Sequence, residues 1–161
     1  MAKPEPKKRK LKFNDLDAMI AEAESLHASG YTQHGSWSLG QNCFHVAEWA
    51  RYPMDDFPVA PLPIRALLWM MKVTVGPAMK KKVMAEGFSG GMQTAPQSVG
   101  AEGMSDQEGI DKLKEIAERI KSFSGELKPS PLFGPMDKET HQKVTLLHAE
   151  HHLGYLEPKS Q

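Results

Sequence analysis

Apolar residues in this chain recur three and four positions apart, and nowhere do they alternate over a length that would make a convincing strand. Phe13, Leu16, Met19, Ile20, Ala23 and Leu26 follow the helical period, with Asn14 placed to cap the start and Gly30 to end it. Ser38 and Gln41 stand as a capping box before "SLGQNCFHVAEWARY", which stops ahead of Pro53. Ser105 and Glu108 repeat that device before the stripe Ile110, Leu113, Ile116, Ala117 and Ile120. Asp137 caps a last helix expected to run from Lys138 to about Leu156, with Pro158 as its stop.

A further helix is expected from Pro63 into the Val73 region, with room to continue past Gly76 and Pro77 to Met84. Between Gly87 and Gly103 the sequence "GFSGGMQTAPQSVGAEG" has no periodicity and reads as an irregular loop, of a length usually either functional or disordered. The predicted fold is therefore all-α. It is an up-and-down bundle of four principal helices, with a long crossover that contains the extra helix and the loop. At 161 residues, one domain over residues 13–158 accommodates it.

The opening "MAKPEPKKRKLK" is expected to be a basic, solvated tail over residues 1–12. Its "PKKRK" resembles a nuclear localisation signal, but such short runs arise readily and a tail without a specific task is preferred. Twenty basic residues offset twenty acidic ones, so no overall field draws the chain to nucleic acid or to a membrane surface. Neither partner is expected; the sequence does not set the oligomeric state, although bundles with exposed apolar helix faces often form homodimers. The longest apolar stretch, Leu62 to Val75, is interrupted by Arg65 and Lys72 and is short of the roughly 20 residues that span a bilayer. The single cysteine, Cys43, and a start without an apolar leader point to the cytoplasm.

Chemistry is concentrated in "LLHAEHHLGYL", which holds His148, His151 and His152. On a helix, His148 lies one turn from either His151 or His152, so two alternative pairs could reach one ion. All three could not easily do so, because adjacent residues diverge by about 100°. The zinc-protease pattern H-E-x-x-H is excluded, since Ala149 stands where the glutamate would act as base. His45 is flanked at helical spacing by Gln41, Glu48, Trp49 and Tyr52, an unusually polar set for a bundle core. If the second and last helices pack together, His45 can join His148 and His152 as three neutral imidazole ligands with a coordination position left open. The alternative at this point is a satisfied core histidine and a histidine-rich helix end.

Three segments together, "GSWSLGQNCFHVAEW" from Gly35, "PLFGPM" from Pro131 and "HAEHHLGYL" from His148, resemble the DinB-like superfamily of helical proteins regarded as metalloenzymes. Within it they resemble a branch known only as a domain of unknown function. The resemblance spans nearly the whole domain and implies that His45, His148 and His152 bind a divalent metal, zinc or nickel. It also implies a small-molecule substrate and chemistry like that of relatives that use a low-molecular-weight thiol, with metal-assisted hydrolysis as the other enzymatic reading. A bundle that binds a small ligand or partner without catalysis is the third. This chain departs from the branch at Ser130, where histidine is frequent, and near Thr140 and His141, where an aromatic residue is frequent.

Around the ligand set, Glu48 is the candidate general base or acceptor of an imidazole N–H, with a solvated helix position as its plainer alternative. Gln41 either serves the capping box, which its spacing favours, or lines the pocket. His141, His151 and Tyr155 are the remaining candidate pocket residues. Cys43 points about 160° away from His45 and is expected in the core.

Overall fold

The computed structural model describes residues 7–90 and 94–159. Among these residues it is mostly helical, with six helices and one small sheet. In chain order the elements are α1 (Leu16–Ser29), β1 (Tyr31–Gln33), α2 (Leu39–Arg51), α3 (Leu62–Thr74), α4 (Gly76–Glu86), α5 (Asp106–Ser122), α6 (Lys138–Leu153) and β2 (Leu156–Pro158). A 3-10 turn, Pro96–Ser98, interrupts the loop between α4 and α5.

The helical stripes bury as their spacing requires. Leu16, Met19, Ala23 and Leu26 of α1 meet Ile110, Leu113, Ile116, Ala117 and Ile120 of α5 in one core, which Cys43, Val46 and Ala50 of α2 and Ala149 and Leu153 of α6 complete. Helix α2 packs against both α5 and α6, and α1 packs against the same two. Both capping boxes form, at Ser38 with Gln41 and at Ser105 with Glu108.

The crossing of α2 and α5 is set by two glycines. A Cβ on Gly109 would stand 2.1 Å from the carbonyl oxygen of Gly40, and one on Gly40 would stand 2.4 Å from that of Ser105. Only glycine permits backbones this close. Asp106 then reaches across the junction, accepting from the Gly40 amide at 2.9 Å and from the Tyr31 hydroxyl at 3.1 Å. The Tyr31 hydroxyl in turn accepts from the Leu39 amide at 3.0 Å, so the first amides of α2 are satisfied from three directions.

Four expectations are corrected. The sheet was not anticipated: Tyr31, Thr32 and Gln33 pair antiparallel with Pro158, Glu157 and Leu156, a ladder too short for alternation to register in the sequence. Helix α6 accordingly ends at Leu153 rather than near Leu156. Asp15, not Asn14, caps α1, accepting from the Ala18 amide at 2.7 Å. The crossover holds two helices rather than one, divided at Val75 and Gly76, where Pro77 lacks the N–H that would continue the ladder.

The expected solvated tail is also different where it is described. Residues 7–12 run back over the C-terminal end of the fold. The Arg9 amide donates to Gly154 O at 2.8 Å, its guanidinium donates to Leu156 O and to Glu22, both at 2.6 Å, and Leu11 packs on the core. A Cβ on Gly154 would lie 2.8 Å from Arg9 O, so that glycine is what lets the segment dock. Residues 1–6, and with them part of "PKKRK", lie outside the described residues.

Candidate metal centre

Helix α2 brings His45 to the face on which α6 presents His148 and His152. One ring nitrogen from each of the three lies within 4.8 Å of the others, and the ring centroids are separated by 4.9, 4.6 and 4.6 Å. The closest approach is between the Nε2 atoms of His148 and His152, at 3.1 Å. Two nitrogens bound to one ion at about 2.1 Å stand roughly 3.0 to 3.4 Å apart at octahedral or tetrahedral angles. The pair therefore already has the spacing of two ligands.

The loop after α4 fixes the third imidazole. His45 Nδ1 lies 3.0 Å from the carbonyl oxygen of Ser98, a fully buried residue. A carbonyl only accepts, so Nδ1 carries the proton and Nε2 keeps its lone pair. Orientation of a ligating histidine through its other nitrogen is the usual support of a metal site. Two further residues of α2, one turn before and one turn after His45, hold the same loop. Gln41 Nε2 donates to Gly100 O at 3.1 Å, and Trp49 Nε1 donates to Thr94 Oγ1 at 3.1 Å. Thr94 in turn is 3.0 Å from Ser98 Oγ, which donates to Ala95 O at 2.7 Å.

Aromatic rings enclose the cluster. Trp37 stacks on His152 at 5.3 Å with 14° between planes and sits 4.8 Å from His45, while Phe88 lies 5.1 Å from His148. Asn42 pins the Trp37 backbone by donating to its carbonyl at 3.1 Å. Burial among these groups lowers the basicity of all three histidines. His45 is brought down to about 4, with the Ser98 carbonyl opposing the shift, and His148 and His152 lie well below the ordinary histidine range, each depressed further by its neighbours. At neutral pH the cluster presents three uncharged imidazoles, the form that binds metal.

The other candidate residues fall outside this cluster. Both Glu48 oxygens accept from the Arg51 guanidinium, at 2.7 and 3.1 Å, so the expected general base is engaged in an ion pair. Gln41 completes the capping box with the Ser38 amide as well as holding Gly100. His141 is buried and donates from Nε2 to Ala50 O at 2.9 Å, tying α6 to the end of α2. His151 borders the site: its Nδ1 is 2.9 Å from Phe88 O and 2.8 Å from Lys8 Nζ, two contacts that one nitrogen can satisfy only alternately. Tyr155 follows at the rim, 5.4 Å from the His151 ring and beneath Lys8. Cys43 is buried in the core, and burial raises its thiol pKa.

The family model described as "Protein of unknown function (DUF1569)" matches residues 5–159. The chain belongs to the DUF1569 family. Among curated proteins and among solved structures, none matches it. In this DUF1569 chain Ser130 has a structural task, its Oγ accepting from the Phe133 amide at 3.1 Å to close the turn that ends at Gly134. Phe133 from that turn lies 6.5 Å from Phe88 and so supports the wall of the histidine cluster.

Sequence reasoning missed Trp37, Phe88 and Ser98. Trp37 had a local signal, its place just before the Ser38 cap. Ser98 had none, because it meets His45 across a loop whose course no periodicity reveals. Its neighbours at 91–93 lie outside the described residues.

Proposed function

We propose that this DUF1569 protein is a divalent-metal-dependent enzyme of the DinB-like type. In this reading α1, α2, α5 and α6 form a four-helix bundle, and His45, His148 and His152 hold zinc or nickel. The observation that carries the reading is the 3.1 Å approach of the His148 and His152 Nε2 atoms beside a His45 whose tautomer Ser98 dictates. Three imidazole ligands leave a coordination position for a reactant, as catalytic sites do and closed structural sites do not.

A bound ion would supply a Lewis acid that lowers the pKa of a thiol or of water. The chain's own residues hold and shield the reactants. The Ser98 carbonyl keeps the His45 lone pair on Nε2, while Trp37 and Phe88 restrict water on two sides. Lys8, beside His151 at the rim, favours an anionic group on the incoming small molecule. Glu48 takes no part, since Arg51 holds it. The first reaction class is group transfer from or to a low-molecular-weight thiol, which suits a reducing cytoplasm; metal-assisted hydrolysis is the second.

The test uses untagged protein loaded with nickel or cobalt and titrated with a low-molecular-weight thiol. A sulfur-to-metal charge-transfer band that saturates supports thiol chemistry, and its absence with metal bound leaves hydrolysis. Less than about a tenth of an equivalent of metal after supplementation overturns the enzyme reading in favour of a non-catalytic binding bundle.

A further inference from the structure

Helix α3 is a second feature that the fold leaves unexplained. It buries no residue, and among the described residues the large apolar side chains most exposed lie on it or beside it. Leu62, Ala66, Trp69, Met70 and Val73 fall within a sector of about 100° on the helix, and Trp69 is 63% exposed. Ile64 and Leu67, outside this sector, are about half exposed as well, and Leu68 is half-buried. Below α3 lies an open cleft of about 550 Å³ bounded by Phe57, Trp69 and Pro131, with Arg65 and Lys72 in its lining.

The sequence of α3 and its flanks is one-sided in charge. From Phe57 to Ala85 the chain carries Arg65, Lys72, Lys80, Lys81 and Lys82 and not one acidic residue, although the whole chain is neutral. Arg65 starts the cationic edge about 40° beyond Trp69 on the helix surface. Among the described residues none of these five forms a salt bridge. No helix of the described residues is long and apolar enough to cross a membrane.

We propose that α3 docks on an anionic lipid surface, the apolar residues around Trp69 entering the interface and Arg65 and Lys72 at their edge meeting lipid headgroups. An apolar face with a tryptophan and a basic margin is the composition of helices that lie in the plane of an interface. A second copy of the chain fits less well, because it would set Arg65 and Lys72 against like charges, with no acid on α3 to meet them. The overall charge balance hides this surface, because the compensating acids lie elsewhere.

The experiment is flotation of the full chain with phosphatidylcholine vesicles, with and without phosphatidylglycerol, together with sedimentation velocity in the absence of lipid. The expected result is flotation only with phosphatidylglycerol, weakened by salt. Met70→Asp with Val73→Asp, or Arg65→Glu with Lys72→Glu, should each reduce bound protein at least about tenfold without changing helical content. Failure to float, or flotation equal on both vesicle types, overturns the proposal. So does a lipid-free dimer that Met70→Asp dissolves while wild type fails to float.

Discussion

His45 Nδ1 stands 3.0 Å from the carbonyl oxygen of Ser98, which makes the loop between α4 and α5 the element that fixes a candidate ligand. The contact depends on Gln41 and Trp49, which grip the same loop one turn either side of His45. Trp49→Phe removes the bond to Thr94, and the loss of one such bond is worth about 1 kcal/mol. Amide exchange at Ser98 and Val99 should then accelerate roughly fivefold while α5 remains protected. Unchanged exchange would mean that the loop is held by other contacts.

Acid should destabilise the metal-free protein. His45 titrates near about 4 when folded, against about 6.5 in an unfolded chain, and His148 and His152 are depressed in the same direction. As pH falls, the unfolded chain therefore takes up protons first. This stability is fully present above about pH 6.5 and is lost toward pH 4, by about 1.4 kcal/mol per pH unit for each histidine involved. Urea midpoints at pH 7, 6 and 5 should fall in that order; a flat profile would show the rings to be solvated.

Gly109→Ala should cost about 1–3 kcal/mol, because the added carbon would lie 2.1 Å from Gly40 O and α2 and α5 must separate. Thermal unfolding followed by circular dichroism reports it. A cost near zero would show that the crossing has slack.

The docked segment before α1 makes a prediction of its own. Arg9→Ala removes the bonds to Leu156 O and Glu22 from a partly buried position and should cost about 1–2 kcal/mol, read from urea unfolding. If the midpoint does not move, the segment contributes no stability.

The stripes of α1 and α5, both capping boxes and the Asp137 cap were legible because each is a local pattern with one physical outcome. Spacing alone allowed His148 to pair with either His151 or His152; His45 and the family resemblance favoured His152, and the three rings of His45, His148 and His152 do lie together. What escaped was non-local. β1 and β2 are three residues each and pair across most of the chain, and Arg9 reads as tail until Gly154 gives its backbone a place to land. Glu48 had the right spacing from His45 and a nearer cation, and the ion pair with Arg51 took it.

The most direct test is metal stoichiometry in untagged wild type and in His45→Ala, His148→Ala, His152→Ala and His151→Ala, with helical content checked in each. The expected result is about one equivalent of zinc or nickel in wild type and in His151→Ala, and loss of at least about tenfold in affinity in the other three. Retention of the ion by His152→Ala with its loss from His151→Ala would contradict the ligand set, and wild type without stoichiometric metal would contradict the site itself.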